Sequence, residues 1–170
     1  MSEIENPEHY QPDQDTRNIK VGALDLKTTL RNDKASSNRF SYFGEQASGG
    51  LKASFAGVLS EDAVILRHIE LDRELRGKGV GAALLHDLEQ RLEQQGVKDF
   101  YAGFFNPKTV DFLLRNGYKI IPFTAMDDEL KTRLGIDSKD FDFRVVDQDV
   151  FDRLKTVEPD KFKKILLRRS

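Results

Sequence analysis

The residues best suited to chemistry lie in one short segment, residues 76–81, which reads Arg-Gly-Lys-Gly-Val-Gly. It joins an aliphatic run, residues 63–71, to a run in which leucine recurs every four residues, 79–95. Glycines allow the backbone to turn sharply and to approach a ligand closely. The first amides of a helix have no partner within it and attract anions. With the positive charges of Arg76 and Lys78, the segment predicts a phosphate or pyrophosphate site; the alternative is a tight turn before a helix.

Two common phosphate-binding motifs do not fit this segment. The dinucleotide motif G-x-G-x-x-G fails because Gly77, Gly79 and Gly81 are spaced G-x-G-x-G. A P-loop fails because no Gly-Lys-Ser or Gly-Lys-Thr sequence follows. The ligand class therefore has to come from a wider pattern.

The surrounding sequence predicts the elements that position this segment. Four strand-like runs, 19–28, 39–45, 51–59 and 63–71, precede it, and a helix over 79–95 follows. A strand over 97–105, a helix from Asn106 and Pro107 to Asn116, and a strand over 118–123 come next. This order predicts an α+β fold with a mixed, mostly antiparallel sheet and flanking helices. We expect residues 1–18 to be a flexible tail and residues 19–170 to form a single domain.

The C-terminal region is less regular. A short helix starting at Asp127 or Asp128 and ending near Gly135, a helix over 150–157 and a final strand over 162–168 are predicted. Residues 124–160 look like an atypical extension of the domain.

Composition excludes several kinds of function. The chain has 170 residues with 27 basic and 29 acidic side chains, so no basic field predicts nucleic-acid binding. It contains no cysteine, which excludes a thiol nucleophile, a disulfide and a Cys-ligated metal. Its three histidines are scattered, so we expect no metal site. Apolar runs fall short of the roughly 20 residues of a membrane span, and residues 1–18 lack a signal-peptide core. We therefore expect a cytoplasmic protein without a membrane interaction.

The pattern Arg76-x-x-Gly79-x-Gly81 resembles the pyrophosphate loop R/Q-x-x-G-x-G/A of the GNAT acetyltransferase superfamily. That family commonly shows N-x-x-A-x-x-x-Y-x-x-x-G-F after the next strand. Five residues occupy those positions in register, namely Asn106, Thr109, Leu113, Gly117 and Tyr118. The resemblance covers residues 63–121 and implies a GNAT-type fold.

The resemblance also implies a cofactor site. The amides of residues 77–81 would bind the pyrophosphate of acetyl-CoA, the main chain around Ile69 and Leu71 would pair with the pantetheine like an added strand, and Asn106 would position that arm. The expected acetyl-CoA site comprises Ile69, Leu71, Arg76, Gly77, Lys78, Gly79, Val80, Gly81 and Asn106.

Two features depart from the family pattern. Leu113 stands where many members have a tyrosine that is thought to protonate the departing thiolate, and leucine cannot donate a proton. The family usually has two helices between its first two strands, whereas only the polar residues 28–38 separate the candidate strands here. We expect the acceptor side to be open, or closed by residues 125–160 or by a second subunit in a homodimer.

Direct transfer to an amine requires a base that removes a proton from the acceptor. Glu70 and Asp72 lie at the end of the strand that precedes the loop, and His68 shares the strand face of Glu70. These three are the candidate catalytic residues; the alternative is that they are ordinary surface or core side chains.

The resemblance predicts an acetyl-CoA-dependent N-acetyltransferase that acts on an amine of a small molecule or a protein. The alternative is a catalytically inactive CoA-binding domain with a regulatory or interaction role.

Overall fold

A computed structural model describes residues 13–33, 38–50 and 52–170. Eight strands form one sheet in the order β1-β2-β3-β4-β5-β6-β8-β7. The strands are β1 (Asp13–Val21), β2 (Leu24–Asp33), β3 (Arg39–Gln46), β4 (Lys52–Ser60), β5 (Ala63–Leu71), β6 (Asp99–Phe104), β7 (Tyr118–Ile120) and β8 (Ile165–Arg169). The helices are α1 (Val80–Gln94), α2 (Pro107–Arg115), α3 (Asp128–Arg133) and α4 (Gln148–Val157).

The sheet is mixed but mostly antiparallel. Strands β1 to β5 form an antiparallel meander in chain order. Strand β6 is parallel to β5, and α1 makes the long crossover that a parallel connection requires. Strand β8 then inserts between β6 and β7, antiparallel to both. This architecture confirms the predicted α+β class with a mixed sheet and flanking helices.

Helix α1 packs on one face of the sheet through the periodic stripe that its sequence predicts. Val80, Leu84, Leu88 and Leu92 are all buried against the sheet. Helix α2 buries Val110 and Leu113 on the same face, and α4 adds Phe151. The start of α1 and the start of α2 are therefore held at the same edge of β5 and β6.

A buried polar cluster fixes α1 relative to the first three strands. The guanidinium of Arg91 is fully buried; it donates to the Asp15 carbonyl oxygen at 2.9 Å and to the Thr28 hydroxyl. Asp87 forms an ion pair with Arg91, with 3.1 Å between Oδ2 and Nη2, and accepts a hydrogen bond from the Tyr42 hydroxyl at 2.6 Å. Burial raises the pKa of Tyr42 well above its usual range, and the hydrogen bond to Asp87 and the charge of Asp87 raise it further. The Tyr42 hydroxyl is therefore a hydrogen-bond donor at neutral pH.

The opposite face of the sheet is covered only in part. Residues 123–141 pack over β5, β6 and β8 in a second apolar cluster, which includes Ile65, Tyr101, Phe123 and Phe141. Over β2 and β3 the same face is open, and Phe43 is 45% exposed there. Residues 13–33 and 38–50 contain no helix. In the described residues this face is therefore open over β2 and β3 and covered by the C-terminal region over β5, β6 and β8.

The N-terminal prediction was wrong for the residues that can be compared. Residues 13–18, predicted as a flexible tail, belong to β1, and the single strand predicted over 19–28 is a hairpin that turns at Gly22 and Ala23. Gly22 adopts a positive φ of 60°, which suits a tight turn. Main-chain pairing with β2 holds β1, which contributes only Ile19 and Val21 to the core, so its apolar pattern is weak. Residues 1–12 lie outside the described residues.

Gly57 should tolerate no side chain. A Cβ at this position would overlap the backbone carbonyl oxygen of Ile65 on the neighbouring strand, and backbone cannot move aside cheaply. We expect Gly57→Ala to lower the free energy of unfolding by about 3 kcal/mol in urea titrations. The control is Gly44→Ala, where a Cβ would meet only the flexible end of Leu84 at 3.1 Å. Equal losses of unfolding free energy in the two variants would contradict the close approach of the β4 and β5 backbones at Gly57.

Candidate functional site

The sheet opens between β5 and β6. The two strands pair from Ala63 with Asp99 as far as Leu66 with Ala102. Beyond that point β5 continues to Leu71 and β6 to Phe104 without pairing to each other. Residues 67–71 therefore present one backbone edge to a gap inside the sheet, where N–H and C=O groups can bind an extended ligand.

A cleft of about 330 Å³ lies at this gap, between the end of β5 and the first turns of α1 and α2. Five of the nine residues predicted to bind the cofactor line it. The lining residues are Phe55, Ile69, Glu70, Leu71, Arg76, Gly81, Asn106, Lys108, Thr109 and Phe112.

The glycine loop leads from β5 into α1 and leaves the start of that helix without a side-chain cap. Gly77 and Gly79 each adopt a φ of +75°, which strongly favours glycine. The first bond within α1 runs from the Ala83 amide to the Gly79 carbonyl, 3.1 Å, so the amides of residues 79–82 have no partner inside the helix. Asn and Asp side chains cap the other three described α-helices. Helix α1 thus presents free amides and the positive end of its dipole beside the cleft.

Two further residues shape this loop. The Arg76 Nε donates to the Leu71 carbonyl oxygen at 3.0 Å and ties the loop back to the end of β5, while Lys78 is exposed. Gly81 lets α1 approach α2, since a Cβ there would lie 3.2 Å from the Phe112 ring. Val80 is fully buried and contributes its side chain to the core rather than to the cleft.

Asn106 occupies the position between β6 and α2 that the sequence predicts. Its Oδ1 accepts from the Lys108 amide at 2.9 Å, which caps α2, and the residue also lines the cleft. Thr109 and Phe112 follow Asn106 at intervals of three along the helix and share its face. This spacing is the signal that could have predicted Phe112 as a lining residue.

The three candidate catalytic residues occupy different environments. Glu70 lines the cleft and is 71% exposed, and His68 is 51% exposed beside it, with 3.5 Å between His68 Nε2 and Glu70 Oε2. The same His68 nitrogen lies 3.2 Å from the Ser54 hydroxyl. Asp72 instead accepts from the Lys52 amide at 2.7 Å and thereby fixes the start of β4. The structure thus brings Glu70 and His68 together and gives Asp72 a structural contact.

None of the tyrosines that the structure describes lines the cleft. Leu113, at the expected tyrosine position, is fully buried in the core. Tyr118 is buried and donates to Glu89 at 3.3 Å. Burial raises the pKa of Tyr118 well above its usual range, and it also raises the pKa of Glu89, although Arg169 partly offsets the latter.

Among the described residues, no group of three or more His, Cys, Asp or Glu side chains is arranged to hold a metal ion. Within that same part of the chain, the helices are all too short or too polar to cross a membrane.

The family model described as "Acetyltransferase (GNAT) family" matches residues 1–118. The chain belongs to the GNAT acetyltransferase family. The match ends at the first residue of β7, so the region after it, including residues 123–141 and α4, lies outside the part shared with the family model. No curated protein sequence matches this chain significantly.

Solved GNAT structures share the fold at low sequence identity. The chain aligns with the PaiA N-acetyltransferase of Thermoplasma acidophilum bound to coenzyme A at 12% identity and a TM-score of 0.51, over 78% of this chain and 61% of the other. A Bacillus subtilis acetyltransferase bound to CoA aligns at 13% identity and 0.50, over 78% and 77%. Nourseothricin acetyltransferase aligns at 16% identity and 0.51, over 94% and 85%. The chain thus spans less than two thirds of the first of these proteins.

Asp72 should affect stability more than chemistry. We expect Asp72→Ala to lower the free energy of unfolding by about 1 kcal/mol, because the Lys52 amide loses its side-chain acceptor. Asp72→Asn keeps an acceptor oxygen and should retain most of that stability in the same urea titration. A fully stable Asp72→Ala variant that has lost acetyl transfer would instead assign Asp72 to the reaction.

Proposed function

We propose that this protein is an acetyl-CoA-dependent N-acetyltransferase that transfers the acetyl group directly to an amine. The observation that carries the proposal is the gap between β5 and β6, which opens beside the uncapped start of α1. An extended thiol arm and an adjoining pyrophosphate require this combination of a free strand edge and free helix amides. Family membership and the CoA complexes of two structural neighbours support the same cofactor.

The residues present fit acetyl-CoA at both ends of the cleft. The amides of residues 77–81 would bind the pyrophosphate, with Lys78 supplying a nearby positive charge. The exposed backbone edge at Ile69 and Leu71 would pair with the pantetheine, and Asn106, whose Oδ1 caps α2, would donate through its Nδ2 group. Lys108 lines the same cleft and adds a cation on the α2 side.

Bound acetyl-CoA would supply a thioester whose carbonyl carbon forms the new C–N bond with the neutral amine while its C–S bond breaks. CoA would leave as the thiolate, which takes a proton from water. The free amides of the β5 edge can donate to the thioester carbonyl oxygen and polarise it. They already border the gap between β5 and β6, from which bound acetyl-CoA would displace water. Glu70 lines the cleft and can accept the ammonium proton of the acceptor directly or through water. His68, 3.5 Å from Glu70, can receive that proton in turn.

The acceptor is an amine of a small molecule or a protein, and the open face over β2 and β3 gives it access from the side opposite α1. A cytoplasmic location and a homodimer stay predictions from the sequence.

A CoA-binding domain without turnover is the second candidate, and one observation favours it. Leu113 replaces the tyrosine that often protonates the thiolate, and the described tyrosines are buried away from the cleft. In that case acetyl-CoA binds at the same residues and no amine is acetylated.

Acetyl-CoA should stabilise the protein against heat. At 100 times its dissociation constant a ligand adds about 2.7 kcal/mol. Because each 1 kcal/mol raises the melting temperature by roughly 2–4 °C in a domain of this size, the expected shift is about 5–11 °C. Gly79→Trp should abolish the shift, because the space beyond the Gly79 Cα is open and a side chain there would stand in the path of the ligand.

The matched control for this experiment is Gly96→Trp, at the other end of α1. Gly96 also has a positive φ, 97°, and open space beyond it, so the substitution imposes similar backbone strain far from the cleft. It should lower the melting temperature and keep the acetyl-CoA shift. Loss of the shift in both variants, or a shift in neither the native protein nor the control, would contradict the site.

Glu70→Gln should reduce turnover without weakening the binding of acetyl-CoA. We expect kcat to fall about 100-fold or more, because the base is removed, with KM for acetyl-CoA nearly unchanged. Release of free CoA thiol would be followed with a panel of small amines and peptides. Glu74→Gln, an exposed carboxylate outside the cleft lining, is the control and should retain activity. Tight acetyl-CoA binding without thiol release in the native protein would favour the second candidate.

A further inference from the structure

A β-bulge lies where the gap in the sheet begins. The register of β4 with β5 pairs Ala56 with His68 but Gly57 with Leu66, so Arg67 is an extra residue on β5. Leu66 is also the last β5 residue that pairs with β6. Arg67 therefore interrupts the pairing of β5 with β4, which resumes at His68, and is the first residue of β5 beyond its pairing with β6. Its backbone thus lies where the gap begins.

The side chain of Arg67 is held by the region that follows the family match. Its Nη2 donates to the carbonyl oxygens of Leu134 and Gly135, at 2.9 and 2.7 Å. These two carbonyls directly follow the last residue of α3. At the C-terminal end of a helix the last carbonyl groups have no partners within the helix, and the helix dipole favours a cation.

The same region also contacts the other strand that borders the gap. The Phe141 ring lies against Gly103 of β6, so close that a Cβ on Gly103 would be 3.1 Å from it. Phe141 makes a parallel bridge with Lys164, directly before β8. Residues 123–141 thus contact both strands that border the gap, β5 at Arg67 and β6 at Gly103. These contacts lie on the face of the sheet opposite α1 and α2.

We infer that Arg67 is a positioning residue for acetyl transfer. Its guanidinium, anchored on the Leu134 and Gly135 carbonyls, fixes the bulge and thereby aims the adjoining backbone amides at the thioester carbonyl. This inference rests on the proposed function. Because the pyrophosphate contacts lie on the separate loop 77–81, a loosened bulge impairs the chemical step and leaves acetyl-CoA binding largely intact.

The experiment compares Arg67→Ala and Arg67→Lys with Arg133→Ala in the full chain. Arg133 lies in the same region, and its replacement by alanine removes the same charge. Its partner, however, is Glu61, just before the start of β5, with 2.6 Å between Arg133 Nη1 and Glu61 Oε2. For Arg67→Ala we expect kcat to fall about 100-fold with KM for acetyl-CoA within about twofold. Arg67→Lys, which can still donate to the carbonyls, should recover at least tenfold, and Arg133→Ala should stay within about threefold of the native protein.

Amide hydrogen exchange of the peptide that spans β5 provides a second readout. It should become faster around residues 66–69 in Arg67→Ala and stay unchanged there in Arg133→Ala. Arg67→Gln replaces the alanine variant if that variant does not fold. Equal kcat losses for the Arg67 and Arg133 variants, a loss confined to KM, or unchanged exchange at the bulge would overturn the inference. The native protein could also show no acetyl transfer while exchange at residues 66–69 becomes faster only in the Arg67 variants. That result would refute the proposed function and leave the anchoring of the bulge by Arg67 intact.

Discussion

The incomplete pairing between β5 and β6 is the constraint on which the rest of the structure depends. Buried backbone N–H and C=O groups require partners, so a sheet opens internally only where something else will meet those groups. Here the opening follows directly from the bulge at Arg67, where β5 shifts register against β4 just as it leaves β6. Gly57 makes the bulge sterically feasible, because its missing side chain lets the two strand backbones approach closely. The cleft is thus a consequence of strand pairing more than of loop shape.

Helices α1 and α2 turn this opening into a site because both begin at its rim. Helix α1 lacks a side-chain cap, which in other helices contributes about 1 kcal/mol, and its buried leucine stripe and the Arg91 cluster compensate by fixing it against the sheet. Helix α2, in contrast, is capped by Asn106, so that one residue both orders the helix and lines the cleft. Rigid packing far from the rim holds the free amides of α1 in place.

The sequence predicted the parts of this arrangement that depend on local signals. The loop 76–81, the start of α2 and the mixed sheet follow from glycine spacing, a cap with proline and hydrophobic periodicity. Strand β1 was missed because it is held by main-chain pairing and adds little to the core. The contact of Asp72 with the Lys52 amide, 20 residues away in the chain, could not be predicted because it leaves no trace in local spacing. The anchoring of Arg67 by Leu134 and Gly135 is equally non-local.

These pairings divide the proposed reaction between two parts of the chain. Every residue expected to hold acetyl-CoA lies within residues 69–106, inside the family match, and depends on the gap and the two helix starts. In the proposed function, the amine would approach over the sheet face opposite α1, which is open over β2 and β3 and covered by residues 123–141, after the match, over β5, β6 and β8. Residues 123–141 contact both strands that border the gap, so changes in them would alter acceptor access and the geometry of the bulge together. Under the proposed function, selectivity for the amine and efficiency of transfer would therefore be coupled through Arg67.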